Sequence, residues 1–279
     1  MTQYENEVKK RDVMCCMNAG NQGCGRKWSR MRIITDTGTD ILDKEAKKLG
    51  IELVAIRSNF TDTVFSENTE AEFTRFYDKL RQTDTLPVSS QPSPAEFLEL
   101  FEDAKEKQEE VVVITISSKL SGTYNGAMLA KDMAEYDNIY VVDSLQASLS
   151  ERLLVEYAVK LRDAGMGAKE LVRKLEQDRE RVILTGVPST LLYLKGRISP
   201  VVAAVGGVIG IKPVLWLKDG VIESRSKARG MRMAKSGMQS FLKDYEADPA
   251  MPVMFAHSDN AEMGQQFMEE TVQQFGLTG

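Results

Sequence analysis

Four short polar segments carry most of the side chains that could do chemistry. They are Thr35-Asp36-Thr37-Gly38-Thr39-Asp40, Ser89-Ser90-Gln91-Pro92-Ser93, Ser117-Ser118-Lys119-Leu120-Ser121-Gly122-Thr123-Tyr124 and Asp143-Ser144. Small hydroxyls and a glycine at a helix entrance leave backbone N–H groups pointing outward, at the positive end of the helix dipole. That combination suits a carboxylate or a phosphate. Ser121 and Gly122 are the best-placed pair, and Ser89 or Ser90 offers a second hydroxyl from a neighbouring loop. The same residue types also cap helices, at about 1 kcal/mol each, so any one loop has a purely structural explanation. Four such loops at one edge favour a binding site.

Catalytic constellations are harder to assemble. The chain has no GxSxG elbow, no Walker lysine motif and no GxGxxG fingerprint, which removes support from the common hydrolase and nucleotide-binding readings. His257, the single histidine, could act as a base for Ser121. It also stands after the apolar run Pro252–Ala256 and before Ser258-Asp259, where a histidine can cap the next helix. Asp36, Asp40 and Asp143 could be acids or metal ligands, although aspartate beside Ser or Thr at a strand end commonly binds loop backbone.

Behind these segments lies a regular alternation. Apolar runs predict strands at Met31–Thr35, Ile51–Ile56, Val111–Ile116 and Ile139–Val142. Helical periodicity covers Ile41–Leu49, Glu70–Arg81, Pro94–Lys107, Thr123–Ala134, Leu149–Ala164 and Ala168–Asp178, as expected of a mostly parallel sheet flanked by helices. Ligands of such sheets bind outside the carboxyl ends of the strands, where three of the four polar segments fall and the fourth is expected to join them. Further on, a strand is expected at Val182–Val187 and a helical turn at Leu191–Leu194. Val208–Leu217 and Val221–Ser224 form a hairpin across Lys218-Asp219-Gly220. Helix Ala228–Leu242, strand Pro252–Ala256 and helix Ala261–Phe275 follow. The fold class is therefore α/β, with an N-terminal mostly parallel sheet and a C-terminal mixed-sheet α/β domain. The second half is also rich in flexible apolar material. Half of the 14 methionines lie between 231 and 268, either as core or as an adaptable pocket wall.

Composition narrows the function class. The 279 residues carry a formal charge of −5, with 42% hydrophobic and 28% charged residues, so a packed core is expected and a nucleic-acid binder is disfavoured. No apolar run reaches the roughly 20 residues of a membrane span, which predicts a cytoplasmic protein. Residues 1–30 stand apart as an atypical extension, expected to be poorly ordered. They hold Cys15, Cys16 and Cys24, all the cysteines of the chain, and six basic residues against three acidic ones. Three thiolates lack a local fourth ligand for a metal, so no metal and no cofactor are expected.

The motifs in their order and spacing resemble the DegV family. Besides the four polar segments, the resemblance rests on Tyr193-Leu194-Lys195-Gly196-Arg197-Ile198-Ser199 and Ile211-Lys212-Pro213, and it extends from Met31 to the end of the chain. It implies domains at 31–170 and 171–279, with a long-chain fatty acid bound between them. Some members of that family present the acyl chain to a separate fatty acid kinase, which phosphorylates the carboxylate. By the resemblance Ser89, Ser90, Ser121 and Gly122 hold the carboxylate. Thr37, Thr123, Asp143, Arg197 and His257 are candidate pocket or partner contacts, Arg197 with the kinase in particular. The chain would then be a non-catalytic lipid binder. The competing reading is a serine-dependent or dihydroxyacetone-kinase-like enzyme acting on a small polar substrate, and a third is a degenerate protein with no defined ligand.

Three departures from the family pattern stand out. A single glycine, Gly196, precedes Arg197 where the family has two. Ser148-Leu149-Ser150-Glu151-Arg152 stands where the family has a glycine-rich Ser-x-Gly-x-Gly stretch, so the pocket shape or the helix start is expected to change. The family's terminal Gly-Thr-His-x-Gly-Pro-Gly motif has no counterpart before Leu277-Thr278-Gly279, so the second domain is expected to be truncated.

Overall fold

The computed structural model describes residues 31–191, 194, 196–198, 210–245, 247–248 and 251–277. The expected extension at 1–30, its cysteines, and most of the apolar stretch 199–209 lie outside the described residues.

The first layer is a four-stranded parallel sheet in the order β2-β1-β6-β7, built from β1 (Met31–Asp36), β2 (Glu52–Val54), β6 (Glu110–Thr115) and β7 (Ile139–Asp143). Its strands are continuous apolar runs because both faces are covered. Ile33, Val112, Ile114 and Val142 point to one face, where they meet α1 (Asp43–Leu49), α5 (Leu149–Asp163) and α6 (Ala168–Asp178). Ile34, Val111, Val113 and Ile139 point to the other, against Phe97, Phe101 and Ala104 of α3 (Pro94–Glu106) and the alanines of α4 (Thr123–Ala134). Pro94 opens α3 behind Ser93, and Glu96 reaches back to the Ser93 backbone N–H at 2.9 Å, as expected of a capping box.

A small antiparallel sheet, β4-β3-β5, leans on this layer. Its strands are β3 (Arg57–Asn59), β4 (Val64–Phe65) and β5 (Val88–Ser90), with α2 (Glu70–Gln82) between β4 and β5. The expected strand Ile51–Ile56 shortens to Glu52–Val54: the chain leaves the parallel sheet after Val54 and pairs again from Arg57, beyond the expected range. Phe60, Phe65 and Phe76 pack ring to ring at 5.5–5.8 Å to hold α2 against the small sheet. Arg57 pairs with Glu96 at 2.6 Å and ties the sheet to α3.

The second half centres on an antiparallel sheet, β10-β9-β8. The hairpin β9 (Ile211–Lys218) and β10 (Val221–Arg229) has a two-residue turn at Asp219-Gly220, with φ of 49° and 81°. This left-handed pair suits the twist of the flanking strands. The expected strand Val182–Val187 shrinks to β8, Thr185–Gly186, paired with Leu215 and Trp216. Helix α7 (Gly230–Gln239) packs Ala234 and Met238 on Val214 and Trp216. The expected helix Ala228–Leu242 breaks at Ser240 and resumes as the short α8 (Phe241–Asp244). Pro252–Ala256 is not a strand: among the described residues it pairs with no ladder, and it leads as a loop to α9 (Ala261–Phe275). Among the described residues no helix is long and apolar enough to cross a membrane.

Candidate functional site

The carboxyl ends of the parallel strands bring three of the polar segments together, and hydrogen bonds show how. Asp36, fully buried at the end of β1, accepts from Gly38 N at 2.9 Å and from Ile116 N at 2.8 Å. Asp143, at the end of β7, accepts from Ser118 N and Leu145 N, both at 3.1 Å. These aspartates fix loop backbone. Among the described residues no cluster of three acidic, histidine or cysteine side chains could hold a metal.

The fourth segment reaches the same edge through Gln91. A Cβ on Gly122 would lie 2.0 Å from Gln91 Oε1. Gly122 has an ordinary φ of −80°, so a side chain there would have to displace the Gln91 amide but would not strain the backbone. The Ser-Gln-Pro and Ser-Gly-Thr segments are therefore in direct contact. This contact escaped the sequence reading, which treated Gln91 only as part of a motif. Its signal was a long polar side chain facing a glycine across two loops.

An open cleft of about 3800 Å³ lies between this edge and the hairpin sheet. Thr37, Gly38, Ser89, Leu120 and Arg197 border it on one side. The other walls are mixed: Phe73 and Leu80 from α2, Leu215 and Trp216 from β9, and Met254 and Phe255 before α9 stand among charged residues such as Glu72, Lys160, Arg179 and Lys235.

The candidate residues take different places around the cleft. Ser89 is exposed at its border and accepts a hydrogen bond from the Arg197 guanidinium. Ser90 accepts from Asn59 Nδ2 at 3.0 Å. Ser121 Oγ meets Thr123 Oγ1 at 2.9 Å and accepts from Thr123 N at 3.3 Å, so it also serves the first turn of α4. Ser90, Ser121, Gly122, Thr123 and Asp143 stand behind the cleft border and not on it. Thr37 Oγ1 accepts from Ile56 N at 2.9 Å. Arg197 crosses from the second half, reaching Leu120 O at 3.3 Å as well as Ser89. His257 borders the cleft, and its Nδ1 accepts from Asn260 N at 3.2 Å. Among the described residues no hydrogen bond joins it to Ser89, Ser90 or Ser121.

Beneath the Thr37-Gly38 turn sits a pair of carboxyls that the pattern of charges did not reveal. A Cβ on Gly38 would stand 2.6 Å from Asp36 Oδ1 and 3.3 Å from Glu151 Oε2, so both acids flank one glycine. Glu151 is fully buried, and the Thr35 hydroxyl beside its carboxyl is the one group that opposes an upward shift. Burial, followed by the nearby Asp36, Asp40 and Asp143, raises it well above the usual carboxylate range. Burial also pushes Asp36 up to about 7, against the opposing effect of its two N–H donors. Burial and the neighbouring carboxylates thus both favour the protonated form of Glu151.

The residues that replace the family's glycines are absorbed locally. Ser150 is buried and donates to Ala147 O at 2.8 Å. Arg152 turns to Glu45 of α1 at 3.0 Å and to Glu156 at 2.8 Å. Helix α5 still starts at Leu149, with Ser148 in a left-handed φ of 51° before it.

Comparison with known proteins places this geometry. Residues 30–278 match the family model described as "Uncharacterised protein, DegV family". The chain is similar to a solved structure from Thermus thermophilus whose description is the fatty acid binding of a DegV family protein. That pair is 31% identical, covers 77% of each chain and has a TM-score of 0.69. It is also similar to a stearic acid-binding protein from Eubacterium ventriosum, at 25% identity, 89% and 88% coverage and a TM-score of 0.78. A third is the Fatty Acid Kinase (Fak) B3 protein of Streptococcus pneumoniae, loaded with linoleic acid, at 26% identity, 89% and 90% coverage and a TM-score of 0.76.

Proposed function

The chain belongs to the DegV family, and from that premise we propose that its cleft binds a long-chain fatty acid and offers the carboxylate to a separate fatty acid kinase. The observation that carries this reading is the lining of the cleft. One border has hydroxyls and an arginine, Thr37, Ser89 and Arg197, and the other walls bring aromatic and methionine side chains, Phe73, Trp216, Phe255, Met231 and Met254, to the cleft among charged residues. An acyl chain buried there gains about 0.8 kcal/mol per methylene, so the tail supplies the affinity and the polar border the orientation. In this reading Ser89 donates to the carboxylate from the cleft border, Ser121 behind it turns its hydroxyl from Thr123 to donate as well, Ser90 and Gly122 support them through their loops, and the exposed Arg197 is the contact offered to the kinase. Neutral hydroxyls suit a carboxylate that must later meet a partner's chemistry, because a buried ion pair would give it up reluctantly.

A non-catalytic role is supported by where the polar groups point. The Ser121 hydroxyl faces Thr123, and the His257 imidazole serves the turn before α9, so no base stands on the serine. Native mass spectrometry of the protein purified from cells, with identification of whatever denaturation releases, tests the proposal. One equivalent of a long-chain fatty acid is expected. A protein that stays empty after incubation with palmitate and oleate would overturn it.

A further inference from the structure

The tip of the hairpin sits on the loop that carries Ser121. Ser117 is fully buried, and its hydroxyl donates to Gly220 O at 2.8 Å while accepting from Lys119 N at 3.2 Å. Lys119 Nζ donates to Asp219 O at 2.7 Å. The backbone carbonyl of the same Ser117 accepts from Leu120 N at 2.9 Å and Ser121 N at 3.1 Å. One residue thus holds both the turn that places Ser121 and the tip of a hairpin about a hundred residues away in sequence.

The fit leaves no slack. A Cβ on Gly220 would stand 2.6 Å from Ser117 Oγ and 3.0 Å from Leu145 Cδ2. With φ at 81° the position is also strained for any residue with a side chain. Another polar segment, the Asp143-Ser144 loop, is fastened to this contact: Asp143 holds Ser118 N and Leu145 N, and Ser117 N donates to Gln146 O at 2.8 Å. Away from its tip, the same hairpin forms cleft wall through Leu215, Trp216, Leu217 and Ile222.

We propose that the β9–β10 hairpin is a lever joining the tail wall of the cleft to the head-group loop, with Gly220 and Ser117 as its positioning residues. The proposal rests on the fatty-acid reading above. A tail packed on Leu215 and Leu217, which share one face of β9, fixes the slope of the strand, and the tip then holds the Ser117–Ser121 turn in one place. Long chains are thereby favoured beyond the area they bury, because filling the tail wall orders the head-group site.

The test uses the full chain with Trp28→Phe, so that Trp216 is the one remaining indole, titrated with palmitate and with octanoate. Gly220→Ala is expected to lower palmitate affinity roughly tenfold while changing octanoate affinity much less. The response of Trp216 emission to octanoate, present in the parent, should disappear. Lys119→Ala removes the second contact from an exposed side chain and carries the test if Gly220→Ala fails to fold, with an expected loss of about threefold in the palmitate-to-octanoate ratio. Parent binding with both variants retaining the parent ratio and the Trp216 response would overturn the lever and leave the fatty-acid reading intact. A parent that binds neither acid would overturn both.

Discussion

The two sheets facing the cleft are built on opposite principles. In the parallel layer Ile33, Ile34 and Val111 to Ile114 have no exposure at all, and helices cover both faces. In the hairpin layer the buried set is Val214, Leu215, Leu217 and Ala228 of the strands with Ala234 and Phe241 of the helices, and Trp216, Met231 and Met238 are only partly buried beside it. β-Branched side chains fixed between two helical layers have little freedom, whereas methionines beside an open cleft can repack around different shapes. The difference assigns the two tasks. Polar loops that must hold a small head group to within tenths of an ångström are mounted on the rigid layer. The wall that meets a variable tail belongs to the adaptable one.

The largest expected effect breaks the rigid side. Phe101 is fully buried in α3, 6.1 Å from Phe97 ring to ring, and Phe101→Ala should cost about 3–5 kcal/mol in urea unfolding. Met238→Ala, at the partly buried edge of the hairpin core, should cost about 1–2 kcal/mol. Equal losses would mean that the two halves are packed alike and that the contrast fails.

The next effect concerns pH. In the unfolded chain Asp36 and Glu151 titrate near about 4. Both are raised in the fold, Asp36 to about 7 and Glu151 well above its usual range, so the folded state holds their protons more tightly. Stability from these groups is complete below about pH 4 and is lost as pH rises toward their folded values. Glu151→Gln keeps the shape and removes the proton. It should be about 1–3 kcal/mol more stable than the parent at pH 8, with the difference closing near pH 4. Denaturant melts at the two pH values decide this, and a pH-independent difference would mean that folding does not raise the Glu151 carboxyl above its unfolded range.

At the head group, Ser121→Ala and Ser89→Ala should each weaken fatty acid binding by about 0.5–1.5 kcal/mol, the range for a hydrogen bond to a partly solvated acceptor. Titration calorimetry against palmitate reads this directly. Unchanged affinity in both variants would remove the hydroxyls from the site while leaving the tail wall untouched.

What the sequence disclosed follows the same division. The parallel layer was legible because each strand is a continuous apolar run and each helix has a clear period, and α3 and α4 fall within a residue of their expected bounds. The small sheet was not. Its strands are two or three residues long, and Val88-Ser89-Ser90 is exposed along its whole length, so it carries no alternation to read. In the second half, Val182–Val187 and Pro252–Ala256 are apolar like strands but are mostly cleft wall, where apolarity answers to a cavity and not to a ladder. The polar segments of the candidate site were visible as residue types. Their assembly depended on contacts that spacing cannot show: Gln91 against Gly122, Arg197 against Ser89, and the Gly220 tip against Ser117. Glu151 was hidden for a related reason, since a glutamate in the first turn of a helix usually faces water and favours the dipole.

The smallest effect tests what joins the halves. Arg81 of α2 forms an ion pair with Asp259, in the turn before α9, and it also pairs with Asp78 one turn back on its own helix. The pair spans the chain from one half to the other, yet both side chains are about half exposed, at 53% and 44%. Exposed pairs at a surface are screened by salt and spend side-chain freedom to form. Arg81→Ala should therefore leave the urea midpoint within experimental scatter and leave palmitate affinity unchanged, at both low and high salt. Gly220→Ala, which touches buried Ser117, should move the affinity strongly. If the ranking were reversed, the halves would be held by a surface clasp, and the division between a rigid head-group layer and an adaptable tail wall would have to be redrawn around α2.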